Sequence, residues 1–369
     1  MANGSNSGIT FAKIRSGNGK WVLDNQTNLP EIRTLQSALF FAGYWSGKGD
    51  TRDGCYNAQT VSAVKGFQVI KNISPANGEF DQTTLKVLES WSGTLTATRS
   101  TTPAILYIRR GTQYAQVGDS GSAITTIRRL LNNKGYTCNS SGAFDSTLAG
   151  VVKNFQRDCG FTTSGSVRQL TIAALENTVS DTGWLSNGTV KLTAGLLARC
   201  GFEASLANSE IVTKLNNALN TYGINTKQKV RHFLAQCMAE TQFGQYPMET
   251  GYQVGIGDPT SDYSPYCGAG FIHLTHAATY REFAAAIGNL SIIQTPTYAT
   301  VKVAINYPGT SAGWFWRDYK NMNTGTDWNA TDKTICTKLT RDILGQNASD
   351  SAISKRYGYF TNKICPVLK

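Results

Sequence analysis

The sequence predicts a mainly α-helical chain, built as two small three-helix units followed by a larger helical domain. Three observations carry that expectation. A block of helical pattern near the start recurs later with its landmarks in the same order. Apolar residues are spaced three and four apart, as on helices, and seldom alternate as on strands. Beyond Leu192 the pattern changes to longer helical stripes with no further copy of the repeat. The length of 369 residues is that of two or three domains.

The first unit is read over residues 28–92. Ile32-Arg33-Thr34-Leu35-Gln36-Ser37-Ala38-Leu39 forms an amphipathic helix closed by Gly43-Tyr44. A second helix holds Thr60-Val61-Ser62-Ala63-Val64-Lys65-Gly66-Phe67-Gln68. Gly78 precedes a third, Thr84-Leu85-Lys86-Val87-Leu88-Glu89. At helical spacing Leu35, Leu39, Val64, Phe67, Leu85 and Leu88 can meet as one small core.

The second unit, residues 115–178, repeats the plan. Ile124 to Leu131 leads to Gly135-Tyr136, Leu148 to Gln156 follows, and Gly165 precedes Thr171 to Glu176. Its expected core is Ile127, Leu131, Val152, Phe155, Ile172 and Leu175. Matched positions lie closer together toward the end of the repeat, so the first copy carries a few extra residues, placed around residues 48–51. Residues 93–114, rich in Ser and Thr, read as a linker, and residues 177–188 as another.

The last domain is read over residues 189–369. Asn208 or Ser209 caps a helix striped by Ile211, Leu215 and Leu219 and stopped at Tyr222-Gly223. Thr226 caps the next helix, with Val230, Phe233, Leu234, Cys237 and Met238 on one face. Glu240 falls beside Phe233 on the helical wheel, at the edge of that apolar stripe and near the helix end. A carboxyl there can be partly desolvated while facing a cleft. Desolvation disfavours the charged form, which suits a general acid.

Val64-Lys65 with Phe67-Gln68, and Val152-Lys153 with Phe155-Gln156, resemble the signature of the three-helix peptidoglycan-binding domain. Val117-Gly118-Asp119-Ser120-Gly121 resembles that family's opening turn. Two such units on one chain suit a repeating polymer, because the second binding event becomes intramolecular. The units read as separable anchors, so the C-terminal domain is expected to keep some turnover on soluble fragments without residues 1–176.

His232-Phe233-Leu234-Ala235-Gln236-Cys237-Met238-Ala239-Glu240-Thr241 resembles the catalytic helix of family 19 glycoside hydrolases, the fold of plant-type chitinases and many phage endolysins. Tyr266-Cys267-Gly268-Ala269-Gly270-Phe271-Ile272-His273-Leu274-Thr275 is similar to its glycine-rich segment. Ser311-Ala312-Gly313-Trp314-Phe315-Trp316 and Thr340-Arg341-Asp342-Ile343-Leu344-Gly345-Gln346 are similar to two later segments. The resemblance implies a lysozyme-like catalytic domain that inverts configuration with two carboxyl groups. It makes Glu240 the general acid, Glu249 the second carboxylate and Thr275 the hydroxyl that helps hold the attacking water. Asp258 and Asp262 stay open as alternatives to Glu249. His273, Tyr266 and Tyr280 are expected to line the sugar subsites, and Trp314 and Trp316 to fill the core. Several positions depart from the family pattern, among them Ala239 in place of His, Cys267 and Ala269 in place of Arg, and Leu344 in place of Asn. His273 stands where the family has Gln.

The resemblance implies hydrolysis of the β-1,4 bond between N-acetylmuramic acid and N-acetylglucosamine in bacterial peptidoglycan. A chitinase and an inactive wall-binding protein remain as alternatives. No metal or organic cofactor is expected. A zinc site would have to draw on His232, His273 and His276, and a thiol nucleophile on Cys237 or Cys267.

Composition narrows the partners. With 35 Lys and Arg against 24 Asp and Glu, the net charge is +11, which favours an anionic partner. The excess is spread over both halves and forms no block of like charges, so no nucleic-acid stripe is expected. No apolar run reaches the ~20 residues of a membrane helix, so no membrane insertion is expected, and the chain is expected to act as a monomer. The first eight residues carry neither the basic start nor the apolar stretch of a secretory signal. With the resemblance to phage enzymes, that implies synthesis in the host cytoplasm and release to the wall after a holin opens the membrane. The eight cysteines, none spaced C-x-x-C, are expected to be mostly buried free thiols. The pairs to check for bridges are Cys138 with Cys159 and Cys336 with Cys365.

Overall fold

The computed structural model describes residues 6–47, 52–203, 209–245, 247–258 and 260–369. The expected insertion at residues 48–51 and the Asn208 cap lie outside them. The described residues are mainly helical, with two short antiparallel strand pairs among them.

The first repeat opens with helix α1 (Phe11–Arg15), capped by Thr10, and strand β1 (Asp24–Asn28). Helix α2 (Pro30–Phe41) starts with proline, whose missing N–H costs nothing at a first turn. Strand β2 (Cys55–Tyr56) pairs with β1 and leads to α3 (Ala58–Ile70), capped by Asn57. Helix α4 (Gln82–Ser92) is capped by Asp81.

The second repeat uses α5 (Ile105–Arg109), α6 (Ser122–Asn133), α7 (Ser146–Asp158) and α8 (Gln169–Leu175). All twelve residues expected in the two small cores are buried. Each repeat is larger than the three helices read from sequence. Phe11, Ile14 and Trp21 join the first core, and α1 packs on α4 as α5 packs on α8. The stretch read as a Ser/Thr linker therefore contains a packed helix, with Ile108 fully buried.

The paired glutamines show why Phe-Gln recurs. Gln68 accepts from the Gly78 amide at 2.8 Å and donates to the Glu79 carbonyl at 2.8 Å and to Thr84 Oγ1 at 3.1 Å. Gln156 accepts from Gly165 at 2.9 Å and donates to the Ser166 carbonyl at 2.9 Å and to Thr171 Oγ1 at 3.1 Å. One buried amide thus satisfies the backbone of each turn and ties it to the next helix. Gly78 and Gly165 hold φ of +82° and +74°, a region that favours glycine.

The segment expected as a second linker is also ordered. Trp184 is fully buried, and the hairpin β3 (Leu185–Ser186) to β4 (Thr189–Val190) turns on Asn187-Gly188, both at positive φ. Helix α9 (Ala194–Arg199) packs on α8, so the second repeat is seated on the last domain.

That domain continues with α10 (Ser209–Thr221) and α11 (Lys227–Glu240). It then runs through α12 (Ala277–Ala286), α13 (Ala299–Asn306) and α14 (Pro308–Trp314). A π-turn over Phe315–Tyr319 leads to α15 (Met322–Gly325), α16 (Asp332–Leu344) and α17 (Asp350–Tyr359). Trp314 and Trp316 are buried, as expected.

The first repeat shares one continuous apolar cluster with this domain, while the second repeat keeps its own. Gly66 on α3 lies against Val254 and Val301. Polar contacts cross the same boundary. The Gly251 amide donates to the Ser46 carbonyl at 2.6 Å, Ser46 Oγ to the Tyr252 carbonyl at 2.5 Å, and the Val254 amide to Ser62 Oγ at 2.8 Å.

All eight cysteines are free. Cys200, Cys237, Cys267 and Cys336 are buried; Cys55, Cys138, Cys159 and Cys365 are partly exposed. Neither Cys138 with Cys159 nor Cys336 with Cys365 is bridged, in keeping with the free thiols expected.

Candidate active site

Helix α11 carries Glu240 into an open groove of about 510 Å³. Thr226 Oγ1 accepts from the Lys229 amide and fixes the start of the helix, as the sequence reading expects. Val230, Phe233, Leu234, Cys237 and Met238 bury its apolar face. It ends immediately after Glu240. Gln242 and Phe243 take φ of +48° and +65°, a region costly for side-chain-bearing residues. Thr241 Oγ1 donates to the Cys237 carbonyl at 2.7 Å and accepts from the Gly244 amide at 2.9 Å, which holds that turn.

Glu240 is nearly buried, its side chain 13% exposed, and Oε1 accepts from Nη2 of Arg356 on α17. Arg356 is itself buried and donates through Nη1 to the Ala352 carbonyl at 3.2 Å. The charges of both groups are thus matched inside the protein, where an unpaired one would be costly.

Glu249 reaches the same groove from the segment after α11. Its amide donates to the Gly268 carbonyl at 2.8 Å, and the Gly268 amide donates to Glu249 Oε2 at 2.9 Å. Tyr263 donates its hydroxyl to Glu249 Oε1. Burial first, and the adjacent Glu249 second, push the Tyr263 hydroxyl well above its ordinary pKa, so it remains a donor. A carboxylate offers about four lone-pair sites, so these two bonds leave room for a water.

The glycine-rich segment lines the groove beside Glu249. Ala269 and Leu274 exchange both backbone hydrogen bonds, and Ala269 also bridges to Met248. His273 turns the chain at φ +51° and, with Thr275, lines the groove. A Cβ on Gly268 would stand 3.0 Å from the His273 Cβ, so a side chain there would press on His273. Thr275 Oγ1 donates to the His273 carbonyl at 2.9 Å. Its proton is committed there, and its lone pairs are left to accept.

Glu240, Glu249, Thr275 and His273 therefore share one groove. Tyr266 and Tyr280 do not line it, which corrects the expectation that they meet sugar. Tyr280 is fully buried, donating to the Cys267 carbonyl at 2.6 Å and to Thr300 Oγ1 at 3.2 Å. Tyr266 is 2% exposed and packs on the Tyr280 ring. Asp258 is exposed and binds Thr260; Asp262 is exposed and faces His276 Nδ1 at 3.0 Å. Neither aspartate lines the groove.

Two contributors escaped the sequence reading. Arg356 lies 116 residues beyond its carboxylate partner, a separation that no local pattern bridges. Tyr263 stands within the segment between the two carboxylates and the glycine-rich run, yet nothing in its spacing marks it as a donor to Glu249. The groove is completed by Phe315, Tyr319 and Lys320 and by Ile343 and Leu344. Leu344 keeps an apolar surface where a polar side chain was expected from the resemblance.

The other reactive groups are quiet. Burial raises the Cys237 thiol far above its usual range, and burial together with the Glu249 charge lifts Cys267 to about 11. Both therefore stay protonated rather than nucleophilic. His232 is fully buried, stacked on Phe360, and lies outside the groove. Among the described residues, no helix is long and apolar enough to cross a membrane.

Comparison with known proteins bears on the repeats. The family model described as a putative peptidoglycan binding domain matches the chain twice, over residues 28–88 and 120–175. These two matches support cell-wall binding, with peptidoglycan as the partner. No curated protein matches the chain.

Proposed function

We propose that the protein is an endolysin-like cell-wall hydrolase that cleaves the β-1,4 bond between N-acetylmuramic acid and N-acetylglucosamine by inversion. The observation that carries this reading is the convergence of Glu240 and Glu249 on one open groove that Thr275 also lines. The two wall-binding repeats favour peptidoglycan over chitin as the polymer delivered to that groove.

In this reading Glu240 donates a proton to the glycosidic oxygen as the bond to the anomeric carbon breaks. Arg356 engages Oε1, which leaves Oε2 to take up the proton and hand it to the leaving oxygen. A water on the opposite face attacks the anomeric carbon and gives a proton to Glu249. Thr275, its own proton held by the His273 carbonyl, accepts the water's other hydrogen bond and aims its free lone pair. The carboxyl groups of inverting enzymes stand ~6.5–9.5 Å apart to admit that water. His273 donates to sugar from the groove wall.

Glu240→Gln tests the assignment. The amide oxygen can still accept from Arg356 while the acid is lost, and thermal unfolding checks that the variant folds. Lysis is expected to disappear while wall binding persists. Lysis at the parent rate would contradict the role of Glu240.

A further inference from the structure

A second large depression shares no lining residue with the carboxylate groove and lies between the two repeats and the segment joining them. It encloses about 960 Å³ and is lined by Arg33 and Arg52 of the first repeat, Arg99 of the joining segment and Arg168 of the second repeat. None of its described lining residues is Asp or Glu, and ten are Ser or Thr. Phe41, Arg52 and Arg168 continue into an adjoining cavity of about 700 Å³ against the last domain, where Lys363 adds a cation and Glu203 the one acidic group. Glu203 accepts there from Gln245 at 2.7 Å.

The arginines are held rather than loose. Tyr114 lies between two guanidinium groups, with Arg168 at 4.2 Å and Arg99 at 5.1 Å from its ring centre. Arg52 stands 4.7 Å from the Phe40 ring. Arg99 is anchored at 2.6 Å by Asp119, which is fully buried and offers no charge to the groove. Arg33 donates to the Asp53 carbonyl at 3.1 Å. Planar guanidinium groups kept in place by rings and carbonyls are pre-organised to take anionic oxygens in pairs. Hydroxyl-bearing walls add donors for the same oxygens and partners for a polyol.

From this arrangement we infer that the groove between the repeats binds an anionic chain of phosphodiester-linked polyol. This is a wall component distinct from the glycan cleaved at Glu240. Cations on three successive chain segments fit a repeating charge rather than a single ion. The inference rests on wall association of the repeats but not on hydrolysis.

The test uses the full chain and two preparations of one Gram-positive wall, intact and stripped of phosphodiester polymer with hydrofluoric acid. The parent is expected to bind intact wall more tightly than stripped wall. The double variant Arg52→Gln/Arg168→Gln should lose about tenfold on intact wall, since two exposed charge pairs together contribute on the order of one factor of ten. On stripped wall it should match the parent. Thermal unfolding of the variant checks that it folds. Independently of any variant, soluble poly(glycerol phosphate) should displace the parent from intact wall. Equal losses on both walls would place the anion in peptidoglycan itself and overturn the inference. So would a failure of the soluble polymer to compete. Loss of all binding to stripped wall by the parent would instead contradict peptidoglycan binding by the repeats.

Discussion

The amide of Val254 donates to the hydroxyl of Ser62 at 2.8 Å, joining residues 192 positions apart across the boundary between the first repeat and the last domain. Val254 stands five residues after Glu249 on the same segment. The first repeat is therefore a support for the loop that carries the second carboxylate, and no longer a separable anchor.

This relationship yields the first prediction. Ser62→Ala leaves a buried amide without an acceptor, at a cost of about 1–3 kcal/mol. Turnover of soluble glycan fragments should fall several-fold while wall binding is kept. Removal of residues 1–176 should abolish turnover rather than merely weaken wall binding, because it strips one side of a shared core. Initial rates on a soluble fragment measure both. Parental rates in the truncated protein would contradict the supporting role.

The ion pair between Arg356 and Glu240 makes a second prediction. Side-chain exposures of 7% and 13% mean that removing the cation leaves a desolvated carboxylate. Arg356→Ala should destabilise the last domain by about 3 kcal/mol, the cost typical of breaking a buried pair. Arg356→Lys should recover part of it. Thermal unfolding of the three proteins at one pH reads the order directly. An unchanged midpoint in Arg356→Ala would contradict it.

A third prediction concerns acid. His232 is buried among Phe360, Trp328, Asp332 and Arg231, and burial lowers its pKa to about 4 despite the bond to Asp332. In the unfolded chain it titrates at about 6.5. The folded state holds the neutral ring, so stability is full above pH 6.5. It drains as pH falls toward 4, because the unfolded chain gains a proton that the folded one refuses. The loss approaches about 3 kcal/mol at one pKa unit per 1.36 kcal/mol. Unfolding midpoints between pH 7 and 4 should fall more steeply for the parent than for His232→Gln. Parallel curves would refute the buried neutral histidine.

A fourth prediction follows from the cysteines. All eight are free, so a reductant should leave the unfolding midpoint unchanged. Alkylation after denaturation without reductant should modify all eight. Two alkyl groups missing for any pair of cysteines would contradict this.

Much of the fold was legible because helical spacing reports which faces are buried. The two repeat cores and the apolar face of α11 follow directly from that pattern. The glutamines were visible as a repeat, and the structure supplies their reason: each satisfies a turn that must carry glycine. Glu240, Glu249, His273 and Thr275 were within reach because motif order preserves what a groove assembles. Tyr266 and Tyr280 misled because a tyrosine in a site-bearing segment looks the same whether its hydroxyl faces sugar or a buried carbonyl. Arg356, and the seating of the first repeat on Gly251 to Val254, depend on contacts across more than a hundred residues. Linker composition misled as well, since Ser and Thr in residues 93–114 cover a short helix whose one fully buried apolar residue is Ile108.

The most direct measurement is the chemistry of the ends released from purified peptidoglycan. The account predicts new reducing sugar ends with N-acetylmuramic acid at the terminus, no new free amino groups, and loss of both lysis and reducing ends in Glu240→Gln. New amino groups without reducing ends would mean that a peptide or amide bond is cut, and would contradict the glycosidase reading.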